Sequence, residues 1–284
     1  MTAILALSAA AIYGTADFFG GVAARRTSAL AVTVLAHVVG LVLLVGALAV
    51  LPAAHPTAAD LAYGAGAGAL GGIGLILFYR ALAKGTMSVV APVAALFGAA
   101  LPVTVGVAIG EQLSLPALVG IGVAVAAVAL VSREEPTGAR ALDRRPRRTD
   151  HPMVLAVMAG VAFGGFFVLL SRTHAAAGLW PLLGARVASI VLLGGFSLLT
   201  ARSLRPTPGS RRLIVAAGAG DMVANVLYLL AVRRGLVSLV AVIVALYPAA
   251  TVLLAQVVLG ERLRRVQVAG LALAASAAVL LALA

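Results

Sequence analysis

Four ionisable side chains lie within otherwise apolar stretches of this chain: Asp17, His37, Arg186 and Asp221. A charged side chain at the centre of a bilayer costs about 2.5 to 3.5 kcal/mol on insertion scales, so each is expected to face an interior or a wet cavity rather than lipid. Read as helix, Tyr13 and Asp17 put a phenol and a carboxylate on one face. Asp221, Asn225 and Tyr228 form a second polar stripe at helical spacing. Such stripes can line a translocation cavity, with Asp17 or Asp221 binding a substrate amine or carrying a coupling proton. The competing reading makes both interfacial, since Asp17 precedes Arg25 and Arg26 and Asp221 follows Arg211 and Arg212. Arg186 needs a partner. That partner is either a buried carboxylate or an anionic substrate group held by paired hydrogen bonds. His37 reads as a structural histidine or a proton relay.

Proline and glycine add a second set of candidates. Pro92 and Pro102 in one segment and Pro248 in another remove backbone donors, and the expected kinks would expose carbonyls to a cavity. Tyr247 and Gln256 are further cavity candidates, whereas Trp180 beside Pro181 suits the interfacial aromatic belt. Gly64, Gly68 and Gly72 make a small-residue stripe for close helix packing. Glu111 and Glu261 each follow a glycine at a segment end and read as structural boundary residues. The chain has no cysteine, which removes thiol catalysis and disulfides, and no metal site or cofactor is expected. It lacks G-x-x-x-x-G-K-[ST], H-E-x-x-H and G-x-S-x-G, so neither ATP hydrolysis nor an intramembrane enzyme is expected.

The elements that would position these residues follow from composition. Hydrophobic residues make up 63% of the 284 and charged residues 11%, with a mean hydropathy of +1.13, far from soluble norms. Apolar runs of helical rather than strand length predict an all-α integral membrane protein of about ten transmembrane helices. They fall at 2–22, 29–51, 60–82, 87–109, 115–132, 152–171, 179–200, 212–232, 236–259 and 265–284. The first is read as a helix, because it lacks a basic leader and carries Asp17. Residues 133–151 form a basic, solvated linker with no apolar run, dividing repeats at 1–132 and 152–284. The net charge of +12 sits between hydrophobic segments, which argues for membrane orientation and against a nucleic-acid partner. Arg25, Arg26, Arg80, Lys84, the linker, Arg202, Arg205, Arg211, Arg212, Arg262, Arg264 and Arg265 fall on one side, against Arg172, Arg233 and Arg234 on the other. The positive-inside rule then places both termini outside.

The halves repeat. Residues 88–113 align without a gap on 238–263, matching Gly85 with Gly235, Ser88 with Ser238, and Gly110-Glu111 with Gly260-Glu261. The same offset carries Tyr13-Gly14 onto Phe163-Gly164. An odd number of spans per repeat makes the two five-helix repeats inverted, the architecture of many secondary transporters. The Ser-Val-Val-Ala-Pro start at Ser88, the Gly-Glu and the later Gly120 resemble the drug/metabolite transporter superfamily, specifically proteins with two EamA-type repeats. The second repeat departs from that pattern with Val242 where the first has Pro92. The resemblance implies a central cavity and export of amino acids, metabolites or drug-like amphiphiles. It also implies cytoplasmic termini, against the charge count. The expectation is a multi-pass exporter of the cytoplasmic (inner) membrane, monomer or homodimer, taking a small-molecule substrate by alternating access between two five-helix bundles, with proton coupling through Asp17 or Asp221. The alternatives are an uncoupled facilitator or a non-transporting subunit.

Overall fold

The computed structural model describes residues 1–51, 54–131, 151–261 and 265–283, all helix, turn and loop among those described. The basic linker lies outside them but for His151, as do Arg262 and Arg264. The helices are α1 (Thr2–Ala24), α2 (Ala29–Val50), α3 (Ala58–Lys84), α4 (Met87–Ala108), α5 (Leu115–Val131), α6 (Pro152–Ser171), α7 (Trp180–Leu199), α8 (Ser210–Val232), α9 (Val237–Val244), α10 (Pro248–Leu259) and α11 (Arg265–Leu283). Eight segments among the described residues are long and apolar enough to cross a membrane, with α9 and α10 together forming one of them; α5 contains a shorter apolar stretch.

Helix starts are set by local chemistry. Ser28 accepts the Ala31 N–H ahead of α2, and Thr57 and Asp60 close a capping box on α3. The ninth expected segment, 236–259, is one candidate span from Val237 to Leu259, interrupted at the proline where a kink was expected: residues 245–247 form a turn, and α10 restarts at Pro248. Proline has no N–H to continue the ladder and suits the first turn of a new helix. Pro92 and Pro102, by contrast, sit inside a continuous α4.

The two halves interlock rather than forming two separate five-helix bundles, which corrects that expectation. α1 packs on α8, α3 on α6 and α7, α4 on α6, α2 on α7 and α8, and α5 on α11. Glycines bring the backbones together at these crossings. A Cβ on Gly64 or Gly68 would strike the backbone of Pro181 or Ala185, one on Gly160 the Ala94 carbonyl, and one on Gly218 the backbone of Ala36. Close approach multiplies van der Waals contact, the main attraction available where lipid removes the hydrophobic drive.

Both Gly-Glu pairs are reciprocal caps. Gly110 and Gly260 have φ of +88° and +69°, in the left-handed region that glycine adopts at helix ends. The turn sends each glutamate to the start of the other half's helix. The Glu111 carboxylate accepts from Val237 N at 2.7 Å, Ser238 N at 3.1 Å and the Ser238 hydroxyl. Glu261 accepts from Met87 N at 3.4 Å and Ser88 N at 3.3 Å, with Arg25 at 3.6 Å. Each carboxylate meets free N–H groups at the positive end of a helix dipole. α4 and the α9–α10 segment therefore run antiparallel.

Candidate functional site

A cavity lies where these crossings meet. Its room comes from residues without bulk: Gly68, Gly71 and Gly72 on α3, and Ala94, Ala95 and Gly98 on α4. Its polar groups come from five places in the chain. α1 supplies Tyr13 and Asp17, α2 His37, α7 Arg186, α8 Asp221 and Asn225, and the turn before α10 supplies Tyr247. Phe163, Phe166 and Phe167 of α6 complete an aromatic wall.

All four mid-helix ionisable groups thus line one space. Asp17 is 9% exposed, His37 3% and Arg186 5%, so all three are enclosed by the protein. Arg186 forms an ion pair with Asp221 through its terminal nitrogen. An uncompensated guanidinium here would be strongly destabilising, and the pair removes that cost. Asn225 extends the network: its amide N donates to the Asp221 carbonyl at 2.7 Å, and its side-chain oxygen accepts the Tyr13 hydroxyl at 2.9 Å. A continuous chain of contacts therefore runs from α7 through α8 to α1, across the halves.

Two buried cavity nitrogens, Arg186 Nε and His37 Nδ1, have no hydrogen-bond partner, and Asp17, also on the cavity, makes no hydrogen bond or ion pair among the described residues. A buried polar atom left unpaired costs about 1 to 3 kcal/mol. Each such atom calls for an explanation, and Thr33 Oγ1, Tyr79 Oη and Arg233 Nε, off the cavity lining, are unpaired as well. The geometry separates the two aspartates that the sequence left equivalent. Asp221 is held by Arg186, whereas Asp17 is free to meet a cation or a proton.

Two of the expected site residues stand behind the cavity rather than on it. Tyr228 lies one turn beyond Asn225, fully buried, with its ring 4.5 Å from Phe167 and its hydroxyl donating to the Phe167 carbonyl at 3.0 Å. Pro92 is buried on α4; it removes the N–H that would bond the Ser88 carbonyl, and the neighbouring Ala91 carbonyl accepts the Tyr247 hydroxyl at 3.3 Å. Gln256 is exposed on α10, away from the cavity. Sequence reasoning missed the phenylalanine wall. The repeat offset carries Tyr13 onto Phe163 and Asp17 onto Phe167, a signal that could have found it.

Outside the cavity, a further polar cluster centres on Asp60. The Asp60 carboxylate accepts from Thr57 N at 2.9 Å, the Thr57 hydroxyl at 2.6 Å and His174 N at 2.7 Å, and it meets His174 Nδ1 at 3.0 Å. Arg233 donates to the His174 carbonyl at 3.0 Å. The cluster ties α3 to the loop between α6 and α7. The signal for its core was Thr57-x-x-Asp60, a capping box in plain view. Among the described residues no cluster of His, Asp and Glu could hold a metal ion.

Comparison with known proteins adds the following. The model of the EamA-like transporter family matches residues 1–133 and 152–283. A solved crystal structure shares the fold at a TM-score of 0.72 and 20% identity, covering 99% of this chain and 96% of the other. No curated protein matches the sequence.

Proposed function

The chain belongs to the EamA-like transporter family, and from that premise we propose that it is a secondary transporter for small amine-bearing molecules, bound at Asp17 in the cavity. The observation that carries this reading is a carboxylate lining a buried, aromatic-walled space with no partner of its own. Aromatic faces and a desolvated carboxylate together attract an organic cation. Asp17 also suits exchange of a proton for substrate. A protonated carboxyl and a carboxylate bound to a cation are both neutral, and either state crosses the membrane interior more cheaply than a bare charge.

The reciprocal caps of Glu111 and Glu261 support an inverted repeat of about ten spans, with halves 1–132 and 152–284 exchanging roles in alternating access. On the interlocked packing, the moving bodies combine helices from both halves. The basic linker and loops belong on the cytoplasmic side and both termini outside, in the cytoplasmic (inner) membrane of its cell. Export is the direction of this reading. One chain supplies both halves of the pathway, so a monomer suffices, although a homodimer would not disturb the cavity.

The test is flux of radiolabelled amines and amino acids into liposomes holding the purified chain, with and without an imposed pH gradient. Gradient-driven flux is expected, and Asp17→Asn should reduce it by about tenfold or more while Asp17→Glu retains part of it. Flux indifferent to the gradient would make the protein a facilitator. Full gradient-driven flux through a folded Asp17→Asn variant would overturn the role given to Asp17.

A further inference from the structure

A second space opens where α5 meets α4 and the turn that ends α9. Its lining is alanine, valine, leucine and isoleucine, with no polar side chain. Small residues make the room: Ala99 and Ala100 on α4, Ala124 on α5 and Ala245 in the turn. α5 packs chiefly on α11 and only lightly on α4 and α9, which leaves the gap between them unfilled. At its rim Ala100 and Val125 are exposed on the outer face of the molecule, whereas Ala124, Val242 and Leu246 are buried within it. The space is therefore a pocket that deepens from the surface toward the core. Ala99 and Ala245 also line the central cavity and are the two residues common to both linings.

Depth identifies what surrounds the rim. Leu96 and Ala99 lie at the middle of α4, and Ile121 and Ala124 at the middle of α5, so the pocket opens near the bilayer midplane. Only hydrocarbon is found at that depth, well away from headgroups and water. Water has no polar partner in such a pocket. Left empty, its walls forfeit van der Waals contacts, and close packing is the main attraction between apolar surfaces in lipid. From its depth, its apolar lining and its open rim we propose that this pocket binds the end of a lipid acyl chain, which enters past Ala100 and Val125 and lies against Ala99 and Ala245. The chain end then backs the wall of the central cavity at those two alanines. The site is independent of the cation role given to Asp17, since it requires only that the protein spans a bilayer.

The experiment reconstitutes the full chain in phosphatidylcholine vesicles that include a phosphatidylcholine with a diazirine near the methyl end of one acyl chain. Irradiation followed by mass spectrometry maps the labelled residues. Labels are expected on Ala124, Val242 and Leu246, which are only 4%, 4% and 8% exposed, as well as on the outward-facing Val42 and Val191. Leu182 and Ile214, similarly buried but away from the pocket, should stay unlabelled. Ala124→Leu should fill the pocket and cut the labelling of Val242 and Leu246 several-fold. Unchanged labelling of Val42 and Val191 shows that this variant is folded. Moving the diazirine close to the glycerol should abolish the pocket labels with no change to the protein. Labels confined to exposed residues such as Val42 and Val191 would overturn the site, whether a second copy of the chain covers the pocket or nothing enters it. Full labelling of Val242 and Leu246 in the folded Ala124→Leu variant would overturn it as well.

Discussion

The capped helix ends and the cavity obey the same repeat in opposite ways. At the ends, the offset that carries Glu111 onto Glu261 also carries Ser88 onto Ser238, Gly110 onto Gly260 and Thr57 onto Thr207, and both members of each pair keep the same chemistry. In the cavity the same offset pairs Asp17 with Phe167, Gly71 with Asp221, Leu75 with Asn225, and Tyr13 with Phe163. There one half supplies a polar group and the other supplies bulk or space. The difference follows from what each region must do. A frame whose halves exchange roles needs equivalent joints on both faces, while a ligand is asymmetric and is read by an asymmetric site. Among the polar groups, conservation of chemistry across the repeat thus separates the caps from the cavity within a single chain, while small residues such as Ala95 and Ala245 are kept in both halves of the cavity.

The largest expected effect tests the frame. Gly68→Val and Gly218→Val each force a side chain into the backbone of a crossing helix, Ala185 in one half and Ala36 in the other. Rigid backbone cannot yield as a side chain would, so each should lose about 3 kcal/mol or more. Both variants should fail together in yield of monodisperse protein. Survival of one alone would break the equivalence of the two joints. Next come the caps. Glu111→Gln should cost about 2 kcal/mol and Glu261→Gln about 1, in line with the shorter bonds that Glu111 makes to Val237 and Ser238. Thermal unfolding in detergent measures both, and a reversed order would show that Arg25, beside Glu261, carries more than its 3.6 Å separation suggests.

Much of the frame was legible because its signals are local. The expected helix at 2–22 is Thr2–Ala24, that at 152–171 is Pro152–Ser171, and the Gly-Glu boundaries fall at left-handed glycines. Kinks were expected at Pro92, Pro102 and Pro248 alike; that only Pro248 breaks its helix was not legible. Pro92 and Pro102 have similarly apolar neighbours and stay within one helix, and only the fold distinguishes them: the Tyr247 carbonyl sits where a Cβ on Gly14 would go, and Thr251 donates to the Gly14 carbonyl at 2.9 Å. The interlocking of halves was hidden for the same reason, since a small-residue stripe does not name its partner. Helical spacing placed Tyr13, Asp17, Asp221 and Asn225 on cavity faces. It failed for Tyr228, because periodicity gives a direction from the helix axis and Phe167 already fills that direction one turn on.

Within the cavity, Tyr13→Phe converts one residue to its repeat counterpart and removes the hydrogen bond to Asn225. The expected cost is about 1 kcal/mol, read as roughly a fivefold rise in KM for flux with little change in unfolding midpoint. A drop in stability with KM unchanged would instead make Tyr13 part of the frame, and the line between the two regions would move.

The smallest effect belongs to the one joint whose chemistry has diverged. Thr57-x-x-Asp60 and Thr207-x-x-Ser210 open α3 and α8, and each reaches a loop of the other half, at His174 and at Thr27. Asp60 gathers several donors, whereas Ser210 shares one contact with Thr207 at 2.8 Å, and Thr207 keeps its 2.7 Å bond to Thr27 without it. Ser210→Ala should therefore cost only about 0.5 kcal/mol, because the hydroxyl left behind still has a partner. Thermal unfolding of Ser210→Ala beside Asp60→Ser decides the matter. Asp60→Ser should lose several times more, since His174 N would be left facing a shorter side chain. Equal losses would mean that the carboxylate adds nothing to the face on which it sits.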